Sequence, residues 1–114
     1  MKTVYIAGAM NSCDILGVLK NIETGVRRGG EAAVAGFAPF IPHLDIFLAL
    51  KGFDLPMQFY YDYTMEFLTR SDCVFVCENS ENSIGTKAEI EKAKELNIPI
   101  YYSIEEMKKG ELNV

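Results

Sequence analysis

The run Cys73-Val74-Phe75-Val76-Cys77 is apolar at every position. A strand points alternate side chains to opposite faces, so a run without polar alternation fits a strand covered on both faces, the usual state of parallel strands flanked by crossover helices. The rest of the chain supplies the neighbours. Residues 4–7, 37–41 and 98–102 are further short apolar segments. Helical patterns separate them at 14–35, where Ile15, Leu19, Ile22 and Val26 recur at helical spacing, and at 43–50, 57–69 and 84–96. Gly29-Gly30 is expected to bend or interrupt the first helix. Ser83 stands where it can cap a helix, and Ser103-Ile104-Glu105-Glu106 reads as a capping box opening a last short one. Alternating strands and helices predict an α/β fold: a small doubly wound, flavodoxin- or Rossmann-like parallel sheet of about four strands with helices on both faces. In the order 2-1-3-4 the switch point falls between strands one and three, and ligands bind outside their carboxyl ends. The loops there are 8–12 and 78–85, which nominates Gly8 and Met10 as substrate contacts.

A chain of 114 residues is one domain, residues 1–114. Eleven basic against sixteen acidic side chains give a net charge of -5, which offers no attraction to a nucleic-acid polymer or an anionic membrane and favours a small-molecule partner. The longest weakly polar stretch, 32–42, is broken by Gly36 and Pro39 and is shorter than a membrane span of about 20 residues. The chain runs straight into a strand pattern without a leader, so a cytoplasmic location is expected. Cys73 and Cys77 would sit about 13 Å apart on a strand, too far for a disulfide or a shared metal, and read as small buried hydrophobes. The spaced glycines of a dinucleotide site are absent after the first strand, as is a phosphate-loop signature. The only histidine, His43, does not fit a serine-hydrolase order. No organic cofactor and no metal are expected.

Glu89 breaks the pattern of its helix. On a helical wheel Thr86, Ile90, Ala93 and Leu96 share an apolar arc, the charged residues occupy the other side, and Glu89 falls inside the apolar arc. A carboxylate facing the sheet is costly unless paired, so it is either a functional group at the cleft or an inward glutamate bonding a nearby hydroxyl or backbone N–H. Just before it, Ser83-Ile84-Gly85-Thr86 offers hydroxyls and a glycine at a helix amino terminus, where an anion is welcome and where Ser83 is equally an ordinary cap. About 8 Å along the axis separates that end from Glu89, the scale of a ribose 5-phosphate. Ser83, Gly85 and Thr86 are therefore candidate substrate contacts.

The spacing of Ser83, Gly85 and Glu89, with the opening Tyr5-Ile6-Ala7-Gly8, resembles the nucleoside 2-deoxyribosyltransferase-like superfamily. The segment Pro39-Phe40-Ile41-Pro42-His43 and the Ser71-Asp72 pair before the third strand bring the resemblance closest to the small DUF4406 proteins. The resemblance implies an N-glycosidase or deoxyribosyltransferase acting on a nucleoside or its 5'-monophosphate, with Glu89 attacking the anomeric carbon and the Tyr5 hydroxyl resting on it. Serine at position 83 is what related 2'-deoxynucleoside 5'-monophosphate N-glycosidases use for the phosphate. The family's second carboxylate usually stands eight residues before the aspartate that opens the third strand. Counting back from Asp72 lands on Thr64; Asp62 is the acid only if the helix is interrupted or shifted there. Asp72, at the amino end of the sheet, reads as structural.

On residue type alone Tyr5 is equally a core tyrosine, since alternation puts it on one face with Ala7. His43 follows the second strand and could contact a phosphate or base. Arg27 and Arg28 read as a solvated helix face in preference to a phosphate clamp. Phe59, Tyr60, Tyr61 and Tyr63 are too dense for one helix to bury, so part of the cluster is expected to stack a nucleobase or to form the interface of a homodimer or higher homo-oligomer. The rival reading is a non-catalytic binding protein for a nucleotide or nucleotide-derived signal, which would keep Glu89 and lack a correctly placed acid.

Overall fold

The computed structural model describes residues 1–113. The chain alternates as the apolar segments require: β1 (Thr3–Ala7), α1 (Ile15–Val34), β2 (Ala38–Phe40), a 3-10 turn (Pro42–Asp45), α2 (Ile46–Leu50), α3 (Met57–Thr69), β3 (Cys73–Val76), α4 (Ile84–Glu95), β4 (Ile100–Tyr101) and α5 (Ile104–Leu112). The four strands form one parallel sheet in the order β2-β1-β3-β4. Val4 pairs with Cys73 and Ala7 with Val76, which brings the carboxyl ends of β1 and β3 level at the switch point.

Strand alternation sorts the core into two layers. Val4, Ile6, Cys73, Phe75 and Cys77 face Ala32, Phe37 and Met107 on the side of α1 and α5. Tyr5, Ala7, Val74 and Val76 face Leu68 and Ala93 on the side of α3 and α4. Every residue of β3 is buried, as its unbroken apolar run demands. Cys73 and Cys77 are free and buried. No helix among the described residues is long and apolar enough to cross a membrane.

Several local expectations need correction. The helix through Gly29-Gly30 is continuous from Ile15 to Val34. A Cβ at Gly29 would lie 2.3 Å from Ile41 Cδ1, so glycine is there for close packing against the strand exit, and the tertiary contact outweighs its weak helix propensity. The segment 43–50 is a 3-10 turn followed by a short α-helix, because Pro42 starts the turn early. The strands β2 and β4 are shorter than their apolar segments, and Leu96, placed on the apolar arc, is 44% exposed.

The amino edge of the sheet is closed by Asp72, whose carboxylate accepts from Thr3 N at 2.8 Å and Thr3 Oγ1 at 3.2 Å. Those bonds hold its pKa below the usual carboxylate range and tie the start of β3 to that of β1. Arg27 and Arg28 lie on the solvent-accessible side of α1 and not at the cavity, as a helix face and not a phosphate clamp. Both reach Glu78 in the loop after β3, at 2.9 and 3.0 Å, and brace α1 against that loop.

Candidate active site

The carboxyl ends of β1 and β3 open into a cavity of about 820 Å³, a size suited to a small molecule. The loop after β1 forms one wall. The 3-10 turn, α2 and the facing side of α3 form a second, and the approach to α4 with its first turns forms the third. Asn21 of α1 donates to Met10 O at 3.1 Å and to Asn11 O at 3.3 Å, fastening the first wall.

The register of α4 is set at its start. Ser83 Oγ accepts from Thr86 N at 3.1 Å and from Thr86 Oγ1 at 2.9 Å, so the cap fixes which residues turn inward. Thr86 and Ala93 are buried, and Glu89, between them on the same side, borders the cavity. The Tyr5 hydroxyl donates to Glu89 Oε2. Tyr5 is fully buried, and desolvation together with the Glu89 carboxylate pushes its phenol pKa upward, so it remains a donor. Burial raises the Glu89 carboxyl to about 7, against the pull of the Tyr5 hydrogen bond. The group therefore ionises near neutral pH, where a carboxylate nucleophile and a carboxylic acid interconvert readily.

Asp45, the last residue of the 3-10 turn, also borders the cavity. Partial burial raises its pKa, with no cation pairing it. The sequence pattern did not single it out. A polar residue just past the carboxyl end of β2 was the available signal, hidden because 43–50 looked like one helix.

His43 borders the cavity but is only 3% exposed. Its ring is wedged between two glycines: a Cβ at Gly25 would fall 2.3 Å from Nδ1, and one at Gly8 would fall 3.1 Å from Nε2. Burial lowers its pKa, against the opposing pull of the Ala9 backbone, so it is a neutral floor of the site. Gly8, Met10, Ser83, Gly85 and Thr86 also border the cavity, although the Thr86 hydroxyl is spent on Ser83.

Asp62 is not brought to this place. The helix α3 runs without interruption from Met57 to Thr69, and Asp62 lies on its exposed side, accepting from Gln58 Nε2 at 2.9 Å. Thr64, turned about 200° from it, borders the cavity and donates to Tyr60 O at 2.9 Å. The aromatic cluster divides in the same way. Phe59 and Tyr63 stack with ring centroids 5.6 Å apart and continue into Phe67 and Phe40, whereas Tyr60 and Tyr61 border the cavity.

Asn79 and Asn82 add amides to the rim by α4. No lysine or arginine borders the cavity, and among the described residues no three His, Cys, Asp or Glu side chains gather where they could hold a metal.

A family model described as "Domain of unknown function (DUF4406)" matches residues 2–102. Among solved structures, the chain is similar to a 2-deoxyribosyltransferase from the psychrotolerant bacterium Bacillus psychrosaccharolyticus, at 13% identity and a TM-score of 0.64, over 86% of this chain and 69% of that one. At that identity the likeness is one of fold. No curated protein matches.

Proposed function

Because the chain belongs to the DUF4406 family and has a deoxyribosyltransferase-like fold, we propose that it cleaves the N-glycosidic bond of a nucleoside or nucleoside 5'-monophosphate with Glu89 as nucleophile. The observation that carries this reading is the Tyr5–Glu89 pair: a carboxyl group on the wall of a cavity large enough for a nucleoside, oriented by a phenol and ionising near neutrality. A Glu89 oxygen attacks the anomeric carbon, the C–N bond breaks, and the base departs with the bonding pair. Water or a second base then attacks the same carbon and frees Glu89, giving hydrolysis or transfer. The Tyr5 hydroxyl holds one carboxylate oxygen, leaving the other for attack.

The amino end of α4 receives the 5' end of the sugar. Free N–H groups, Ser83 and the open backbone at Gly85 serve a hydroxyl or a phosphate there. With no cation on the wall, affinity for a phosphate comes from the helix end and the neighbouring amides alone. Met57, Tyr60 and Tyr61 give the base an apolar, partly aromatic wall.

The decisive comparison is Glu89→Gln against wild type, followed by release of free base from nucleosides and their monophosphates together with thermal unfolding. Base release is expected to vanish while ligand binding persists. Unaffected base release with a lowered melting temperature would make Glu89 a purely structural carboxylate. The outward position of Asp62 favours a second reading, a non-catalytic nucleotide binder, which predicts binding without turnover by the wild type.

The same face is proposed to pair with a second copy of the chain. Phe47 and Leu50 on α2, Phe53 in the loop after it and Met57 at the start of α3, which borders the cavity, are each more than half exposed. Light scattering at micromolar concentration should give at least a dimeric mass; a monomeric mass excludes the pairing.

A further inference from the structure

A departing nucleobase needs a proton, and the residue that the sequence pattern offered for it, Asp62, lies on the outer side of α3 bonded to Gln58. We propose that Asp45 supplies that proton, an assignment that rests on the N-glycosidase reading above. Its position follows from the topology. Asp45 ends the turn after β2, Glu89 lies on the helix after β3, and β1 runs between those two strands, so the two carboxyl groups approach one cavity from opposite sides of the β1 carboxyl end. Tyr5 on β1 is under the electrostatic influence of both.

The walls give the substrate a direction. The amino end of α4 lies on the Glu89 side, and Ile46, Ala49 and Met57 form an apolar wall on the Asp45 side. A nucleoside with its 5' end at α4 and its anomeric carbon at Glu89 therefore places its base against α2 and α3, beside Asp45. The other polar groups there are unsuited to the step. Thr64 occupies the position where the family carries an acid, but a hydroxyl is far too weak an acid, and it is already bonded to Tyr60 O. The Tyr5 proton is engaged by Glu89. His43 is neutral, and its nitrogens are sealed beneath Gly8 and Gly25.

Partial burial without a pairing cation favours the protonated form of Asp45. In the first step a Glu89 oxygen bonds to the anomeric carbon as the C–N bond breaks. The bonding electrons go to the base nitrogen and the Asp45 carboxyl proton goes to the base, leaving Asp45 as carboxylate. In the second, Asp45 takes a proton from water as the water oxygen bonds to the anomeric carbon and the Glu89 ester bond breaks. The sum is nucleoside plus water giving free sugar and free base, with both carboxyl groups restored.

The test pairs two leaving groups on one sugar: an ordinary purine or pyrimidine, which needs protonation, and nitrophenolate, which does not. Asp45→Asn should lower base release from the nucleoside by about 10²- to 10⁴-fold, the usual range for a general acid, and cleavage of the nitrophenyl glycoside by less than about tenfold. Asp45→Glu should restore part of the nucleoside rate, and Asp62→Asn should leave both rates near wild type. Equal losses on the two substrates, or no loss on either, overturn the assignment while leaving Glu89 chemistry standing. A wild type inactive on both overturns the glycosidase reading and the assignment with it.

Discussion

Glu78 and Glu89 stand on either side of the turn that leads from β3 into α4, and the fold treats them oppositely. Glu78 meets two guanidinium groups, and its pKa falls to about 2. Glu89 meets one phenol and no cation, and burial lifts it to about 7. The difference shows where the chain spends its pairing. Arg27 and Arg28 neutralise the carboxylate that braces the scaffold, and the carboxyl groups on the cavity wall, Glu89 and Asp45, are left without a cation. A fold selected only for stability would have little reason to keep two acids without a cation on one cavity wall.

Removing Glu89 breaks the comparison most severely. Glu89→Gln should cut base release by on the order of 10³-fold or more, because the amide is a far weaker nucleophile. Its effect on stability should have the opposite sign. The folded-state pKa lies above the ordinary 4.5, so stability is greatest below about 4.5 and falls as pH rises through 7. Gln cannot ionise, so its advantage should be absent at pH 4, grow between pH 4.5 and 7, and reach on the order of 3 kcal/mol at pH 8, less whatever the poorer hydrogen bond to Tyr5 costs. Melting temperatures at those pH values check this; destabilisation by Gln at pH 8 would assign the pair a structural role.

Tyr5→Phe sharpens the comparison by changing Glu89 without removing it. The phenol hydrogen bond lowers the Glu89 pKa, so its loss should push the acidic limb of the pH–rate profile above 7 and reduce the rate at neutral pH about 10- to 100-fold. A limb that stays in place would uncouple Tyr5 from the ionisation that limits the reaction.

Glu78→Gln probes the other side and should do least. Glu78 contributes stability above its unfolded value of 4.5, which is lost as pH falls toward 2. Its side chain is 41% exposed, so solvent screening limits the effect to about 1 kcal/mol or less in urea titrations near pH 7, diminishing with salt. Base release should change by less than about threefold. A large loss of activity would mean that the brace positions the cavity and does more than support it.

The elements that the pattern conveyed were those with strong local periodicity. The unbroken apolar run at β3, the helical spacing of α1 and the inward placement of Glu89 all follow from side-chain direction along a regular backbone. Asp72 was legible for the same reason, since its place at the amino end of a strand removes it from the ligand edge. Asp62 was offered as the acid only on condition that the helix was interrupted or shifted, a condition decided by tertiary structure: the uninterrupted course of α3 turns Thr64 inward and Asp62 outward.

Sequence by itself settled the parallel sheet, its crossover helices and the edge where the cavity opens, because period, chain order and handedness fix those quantities locally or by connectivity. Tertiary structure alone decided which residues meet there. Glycine at 25 and 29 gains its reason from His43 and Ile41, and the two arginines find Glu78 across a helix–loop gap. Asp45 becomes the counterpart of Glu89 when β2 and β3 flank β1. Each is a pairing between residues distant in the chain, set by packing and desolvation, and the acidity of a carboxyl group depends on that surrounding field more than on its neighbours in sequence.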